Sequence, residues 1–251
     1  MRKTVIILAV TFLTLSNNLS AQKTIEFGLY AGTSITSMSG VSALSDEMTI
    51  ILTELAGKDF PISESPRTFL LNAGGFFQLN IKPWLAVKGG AEYAPKGESF
   101  SGEVYLSTNM NMQSEVLEQS TVFRVGYIDF PLSVQFSTRS TSKERPTWFY
   151  LNLGVSPAMK LFSKMDMKTS LVERGFNNSG VTSKVLESDF QSHELEGLRK
   201  TDFGIFCSIG VNFNSFFLDI KYNRSLSNIL EDTTGTDIKN NLYAMCLVVR
   251  F

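Results

Sequence analysis

Alternation of apolar and polar side chains is the dominant pattern along this chain. In residues 26–37, Phe27, Leu29 and Ala31 share one face, while Glu26 and Tyr30 share the other. This period of two is typical of β-strands, in which successive side chains point to opposite faces. It recurs in eight segments, 26–37, 69–81, 84–95, 122–136, 148–161, 200–213, 216–225 and 240–251. The sequence therefore predicts an all-β fold of eight antiparallel strands.

The lengths of the strands and of their connections favour a membrane barrel over a soluble sandwich. Most of these segments span roughly 10–15 residues, whereas globular strands have about 5–6. A tilted strand needs about ten residues to cross a bilayer. Long connections (38–68, 96–121, 162–199 and 227–239) also alternate with short ones (82–83, 137–146 and 214–215). We predict an eight-stranded, up-and-down transmembrane β-barrel with long extracellular loops and short periplasmic turns.

Aromatic residues on the apolar face lie near both ends of the predicted strands. Such rings are enriched at the two membrane–water interfaces, so two aromatic belts are expected. The short-turn rim would carry Phe27, Phe77, Phe136, Phe149, Phe213, Phe216 and Phe251, and the long-loop rim Phe69, Tyr93, Phe203, Tyr222 and Tyr243.

The opposite face of the strands carries charges of both signs. At the midplane, Lys or Arg facing lipid costs about 2–4 kcal/mol, so these residues are predicted to point inward. The expected pairings include Lys88 with Glu92 or Asp129, and Lys221 with Asp219. An eight-stranded barrel is about wide enough for side chains to fill, which favours a structural network over a narrow pore. The predicted lumenal set is Glu26, Lys88, Glu92, Asp129, Lys160, Asp202, Asp219, Lys221 and Arg250.

The first 21 residues are predicted to be a signal peptide. Arg2 and Lys3 precede an apolar stretch at 5–15, and small residues at 19–21 form a cleavage site. The barrel domain would then occupy residues 22–251, located in the outer membrane of a Gram-negative bacterium. Because the strand number is even, both mature termini are expected in the periplasm.

Charge and reactive residues exclude several function classes. The formal net charge is −1 and the chain contains no basic block, so a nucleic-acid partner is not expected. Cys207 and Cys246 fall on opposite faces of non-adjacent predicted strands, so both thiols are expected to be free. The only histidine, His193, lies in the third predicted outer loop among Ser and Asp residues, without a nucleophile elbow or a metal-ligand cluster. We predict no enzyme activity, no metal and no cofactor.

A short amphipathic helix is predicted in the first outer loop. Ser45 is a plausible N-cap and Gly57 a plausible terminator. The apolar face would consist of Met48, Ile51, Leu52 and Leu55. This face either packs over the barrel mouth and other loops or docks a partner.

Five short motifs resemble the PorT-like outer-membrane β-barrel family of Bacteroidetes. They are FGLYAG at 27–32, YIDFPL at 127–132, FYLNLG at 149–154, DFG at 202–204 and YNRSLSNI at 222–229. The resemblance implies a barrel in the outer membrane and little about activity, although the family name comes from a member linked to secretion of surface proteinases. The terminal Phe251 also resembles the last-strand signal read by the barrel-insertion machinery.

Several functional hypotheses follow from these observations. The leading one is a non-enzymatic barrel in outer-membrane lipid, serving envelope structure or binding an envelope or secretion-system protein through its extracellular loops. The alternatives are a narrow channel or accessory part of a secretion apparatus, and a lipid or peptide hydrolase or acyltransferase at the barrel rim. A structural alternative is a soluble, lipocalin-like barrel with the apolar face turned inward.

Overall fold

A computed structural model of the chain describes residues 25–39, 62–65, 68–108, 114–138, 147–177, 180–195, 197–213, 216–230 and 237–250. Twelve strands lie within these ranges. They are β1 (Ile25–Ser39), β2 (Ile62–Ser65), β3 (Thr68–Lys82), β4 (Leu85–Tyr93), β5 (Lys96–Thr108), β6 (Ser114–Asp129), β7 (Leu132–Ser137), β8 (Thr147–Asn177), β9 (Gly180–Glu194), β10 (Thr201–Phe213), β11 (Phe216–Ser225) and β12 (Lys239–Arg250). Residues 1–24 and 251, which include the predicted signal peptide and Phe251, lie outside the described residues.

Eight strands form a closed antiparallel ring. Their order is β10–β11–β12–β1–β3–β4–β7–β8, and pairing between β8 and β10 closes the ring. Every segment predicted as a strand contributes to it, which confirms the eight-stranded barrel. Ile25 and Arg250 lie at the end of the barrel that also bears the 82–85, 137–147 and 213–216 connections; this is called the turn end below. Within the described ranges, no helix is long and apolar enough to cross a bilayer.

The same sheet continues beyond the opposite end of the barrel, and this extension is called the protruding sheet below. It consists of β5, β6, the second half of β8 and β9, with β2 paired along β5. The prediction of loops at 96–121 and 162–199 was therefore wrong, because most of these residues form long strands. On β9 the described side chains 182–194 are exposed on both faces, so no apolar stripe marked this strand in the sequence.

The predicted strand at 122–136 is divided in two. β6 ends at Asp129 and β7 begins at Leu132, so the break falls at Phe130 and Pro131. Proline has no backbone N–H to donate to a ladder, which explains the interruption. The Pro131 carbonyl still accepts a hydrogen bond from the Gly90 N–H at 3.0 Å, so the wall of the barrel stays continuous.

The two faces of the ring are oriented as the sequence predicts. Large apolar side chains point outward, as at Leu151, Leu153 and Ile209, whereas Glu92, Asp129 and Lys221 are buried in the lumen. The described members of both aromatic belts point outward too. This arrangement contradicts the inverted, lipocalin-like alternative. Cys207 faces outward and Cys246 inward, and both thiols are free, as expected.

The lumen is packed tightly enough that one inward position requires glycine. A Cβ atom at Gly210 would lie 2.2 Å from Cζ of Tyr150, which faces it from β8. Tyr150 itself is buried against Trp148 and Phe217. Glycine on β10 thus leaves room for an aromatic ring that fills the barrel.

If the apolar face of the ring contacts lipid, a charge placed on it should destabilise the protein more than a charge placed on the protruding sheet. Leu153 lies in the middle of β8 and faces lipid, so Leu153→Arg should lower the free energy of unfolding in bilayers by about 2–4 kcal/mol. Val185→Arg, on the exposed β9 strand beyond the ring, should change it by less than about 0.5 kcal/mol. Urea titration of the protein folded into lipid vesicles measures both values. Equal effects of the two substitutions would contradict the assignment.

Candidate functional site

The centre of the lumen contains an ion pair between two sides of the barrel. Glu92 on β4 is 1% exposed, and its Oε2 accepts a hydrogen bond from Nζ of Lys221 on β11 at 2.5 Å. The same carboxylate accepts hydrogen bonds from the Tyr30 hydroxyl at 2.9 Å and from Asn72 Nδ2 at 3.2 Å. Four strands, β1, β3, β4 and β11, are therefore joined at one buried carboxylate.

A second ionic centre surrounds Lys96, the first residue of β5. Its Nζ lies 3.1 Å from Oδ2 of Asp202 and 3.5 Å from Oδ1 of Asp129, and all three side chains are buried. The two carboxylates accept further hydrogen bonds from Ser156, Asn223, Ser225 and Asn240. These contacts compensate the cost of removing charges from water, which unpaired ions would not recover.

The turn end of the lumen is closed by an arginine and aromatic rings. Arg250 Nη1 lies 2.7 Å from Glu26 Oε2, and the guanidinium carbon lies 4.7 Å from the Phe217 ring centroid. Phe217 packs edge-on against Trp148, with ring centroids 5.5 Å apart. Both rings are more than 90% buried, so they block the axis of the barrel at this level.

The opposite mouth is closed by an apolar cluster between the ring and the protruding sheet. Its buried members are Phe100 on β5, together with Ile229 and Ile238 from the β11–β12 connection. The partly buried residues Met38, Phe123, Leu198 and Leu230 pack against them. Backbone hydrogen bonds hold the connection in place, including Ile229 N–H to Ile238 carbonyl at 3.0 Å. This cluster is called the mouth cluster below.

Between these two closures lies a cavity of about 40 Å³. Lys88, Asp219 and Asn152 contribute polar groups to its lining, together with Glu92 and Lys221. The Lys88 ammonium lies 3.8 Å from the Phe76 ring centroid, within the range of a cation–π interaction. A cavity of this size accommodates a few water molecules and no larger solute. Side chains of the described residues therefore fill most of the lumen.

The residues predicted for the lumen lie there, but their partners differ from the expected ones. Lys221 pairs with Glu92 rather than Asp219, and among described residues Lys88 forms no ion pair with Glu92 or Asp129. Lys160 donates to the Leu198 carbonyl at 2.8 Å. The full predicted set, Glu26, Lys88, Glu92, Asp129, Lys160, Asp202, Asp219, Lys221 and Arg250, is buried or half-buried.

Lys96 is the main lumenal residue that sequence reasoning missed. It falls in the predicted connection at 96–121, which begins directly after the predicted strand at 84–95. The even positions Lys88, Gly90 and Glu92 face the lumen, and Lys96 continues the same parity. Extending the alternation through the proline would have found it.

Two other predicted features have different outcomes. The loop helix carrying Met48, Ile51, Leu52 and Leu55 lies outside the described residues. His193 lies on β9 and not in a loop, which corrects the sequence prediction. Its Nε2 lies 3.3 Å from Gln191 Oε1, an amide, and not against a serine or carboxylate. Within the described ranges, no cluster of three or more His, Cys, Asp or Glu side chains is arranged to hold a metal.

The protruding sheet carries its own surface ion pairs. Arg174 on β8 contacts Glu103 at 2.8 Å and Glu118 at 2.5 Å. Arg124 pairs with Asp166, which also accepts a hydrogen bond from the Ser192 hydroxyl at 2.7 Å. The Ser192 hydrogen bond, and then the charge of Arg124, hold the pKa of Asp166 below its ordinary value, so this carboxylate is charged at neutral pH. These pairs lie beyond the ring, on the protruding sheet.

An apolar exterior, aromatic rims, a paired ionic lumen and two closed ends together define a transmembrane β-barrel protein. The profile of the outer membrane protein β-barrel domain family matches residues 17–231, and the chain belongs to this family of outer-membrane proteins. A comparison with curated proteins gave no match.

Several solved structures of outer-membrane proteins are similar to this chain. One is the attachment invasion locus protein Ail of Yersinia pestis, in complex with the heparin analogue sucrose octasulfate, with 11% identity, 91% of this chain and 99% of Ail covered, and a TM-score of 0.35. Another is Neisserial surface protein A, with 13% identity, coverages of 90% and 97%, and a TM-score of 0.36. The translocator domain of NalP from Neisseria meningitidis has 7% identity, coverages of 99% and 96%, and a TM-score of 0.24.

The central ion pair predicts strong energetic coupling between Glu92 and Lys221. Lys221→Met should destabilise the barrel by about 3–5 kcal/mol, because it leaves a buried carboxylate without its cation. Lys221→Met combined with Glu92→Gln should recover much of this loss. Urea unfolding in lipid of the wild type, Lys221→Met, Glu92→Gln and the double variant gives the coupling energy. Lys184→Met on exposed β9 is the matched control. Additivity of the two substitutions would show that the pair contributes nothing.

Proposed function

We propose that this protein is a non-enzymatic outer-membrane barrel that does not conduct solutes and presents its protruding sheet to a protein partner outside the cell. The observation that carries the proposal is the packing of side chains across both ends of the described lumen, around a cavity of about 40 Å³. A barrel filled in this way has its available surface outside the membrane, on the sheet formed by β5, β6, β8 and β9.

The proposed orientation places the turn end in the periplasm. Outer-membrane barrels have short periplasmic turns and longer extracellular segments, and both Ile25 and Arg250 lie at the turn end. The protruding sheet then extends from the cell surface. Three large apolar side chains of β9, Val185, Leu186 and Phe190, are exposed beyond the ring and are available for contact with another protein.

The second candidate is an accessory role in a secretion apparatus. The resemblance of five motifs to the PorT-like family of Bacteroidetes favours it, because that family is named after a member with such a link. In this case too, the barrel would act by binding a neighbouring envelope protein and not by conducting its cargo.

The closed lumen predicts electrical silence. Purified protein in planar lipid bilayers should give no discrete, reproducible conductance steps, because the mouth cluster and the Trp148–Phe217 pair interrupt the axis. A porin measured in the same bilayers serves as the control for detection. Stable steps that scale with the amount of inserted protein would refute the closed-lumen proposal and favour the channel alternative.

The partner-binding role predicts position-specific crosslinks in intact cells. A photo-reactive residue at Phe190, which is 64% exposed on β9, should give discrete protein adducts after illumination. The same residue at Met245, on the lipid-facing side of β12, should not give these adducts. Mass spectrometry of the adducts would then separate a secretion-system partner from other envelope proteins. Identical adduct patterns at the two positions would contradict the proposal.

A further inference from the structure

The outer surface of the barrel changes from apolar to cationic at one boundary of the β6–β8 pair. Ile128 pairs with Met159 and Gly126 with Phe162, and these positions face outward at the upper edge of the apolar belt. A β-bulge at Leu161 places that side chain and Phe162 on the same outer face. The next outward-facing pair along the strands is Arg124 and Lys164.

The distance between this pair and the belt matches the position of lipid headgroups. Two residues along a strand correspond to about 7 Å, so the cations lie about 7 Å or less above Phe162, depending on strand tilt. The headgroup layer on each side of a bilayer is roughly 5–7 Å thick. Arg124 and Lys164 therefore lie where lipid phosphates are found, directly above side chains that contact the acyl chains.

The arrangement of charge within the pair also indicates an anionic ligand. Arg124 and Lys164 are direct cross-strand partners, and like charges in such positions are destabilising unless an anion compensates them. Asp166 forms an ion pair with the Arg124 guanidinium, and Glu194 on β9 is the cross-strand partner of Lys164. Among the described residues at this position, the three outward cations Arg124, Lys164 and Lys168 face the two carboxylates Asp166 and Glu194, which leaves one net positive charge. The Arg124 side chain remains 48% exposed, and Lys164 and Lys168 are exposed as well.

We infer that Arg124 and Lys164, flanked by Lys168, form a binding site for the phosphate headgroup of an anionic lipid in the leaflet at the extended end of the barrel. In the orientation proposed above this is the outer leaflet, but the site itself requires only a membrane-embedded barrel. The apolar belt commits the site to a lipid and not to a soluble phosphate, because the acyl chains continue along Met159, Leu161 and Phe162. Asp166 pairs with the Arg124 guanidinium and competes with the lipid phosphate for it.

Native mass spectrometry of the full-length protein in detergent tests this site. Titration with phosphatidylglycerol and with phosphatidylcholine should show tighter binding of the anionic lipid. Arg124→Gln and Lys164→Gln should each weaken phosphatidylglycerol binding about fivefold, as expected for one cation near an anionic surface. Lys184→Gln, which removes an exposed cation of β9 far from the belt, should have no effect.

Neutralising the nearby carboxylates should have the opposite effect on the affinity for phosphatidylglycerol. Asp166→Asn and Glu194→Gln should each strengthen phosphatidylglycerol binding by a few-fold, a result that a purely structural role of these residues would not produce. Heat-modifiable gel mobility checks that each variant is folded.

Three results would overturn the inference. The first is equal affinity for phosphatidylglycerol and phosphatidylcholine. The second is an equal loss of phosphatidylglycerol affinity in Lys184→Gln, and the third is binding of inorganic phosphate at the site as tight as that of the lipid. None of them bears on conductance or on the crosslinks at Phe190, so failure of this site is distinguishable from failure of the proposed function.

Discussion

The need to satisfy every backbone hydrogen bond within hydrocarbon determines this structure. A bilayer core provides no water for unpaired N–H and C=O groups, so a sheet that crosses it must close on itself. The pairing of β8 with β10 provides that closure, and it fixes the ring at eight strands. A ring of this size has an interior about as wide as the side chains that face it. Ring closure therefore dictates that the lumen be filled.

The filling follows from the same alternation that makes the exterior apolar. Every second residue of a strand must face inward, and these positions carry charged and amide side chains because the apolar ones are turned to lipid. In a lumen sealed by the mouth cluster and by Trp148 and Phe217, each charge needs a partner. The Glu92–Lys221 pair and the Lys96 centre meet this need across strands that are far apart in sequence. The ionic network and the closed ends are thus two aspects of one packed interior.

The sequence predicted the features that depend on local periodicity and failed on those that depend on geometry between strands. The ring strands, the inward face and the two free thiols follow from parity alone. The partner of Lys221 depends on the tilt and stagger of β4 relative to β11, which no local pattern encodes. β9 was missed because a strand exposed on both faces has no binary pattern. Lys96 was missed because the predicted strand ends at Pro95, although the parity continues beyond it.

Outside hydrocarbon, water can satisfy backbone groups, so the protruding sheet does not need to close on itself. This difference bears on the proposed binding of a partner. The ring has no edges, whereas β9 pairs with β8 alone among the described strands, and an exposed strand edge invites indiscriminate pairing. Lys184, Glu187, Asp189 and Glu194 place charges along it, a common protection against such pairing. Recognition by this sheet would then depend on side chains such as Phe190 and not on backbone addition. Because the described side chains of β9 are exposed on both faces, they are free to change without loss of the fold, while the ring below keeps its paired interior.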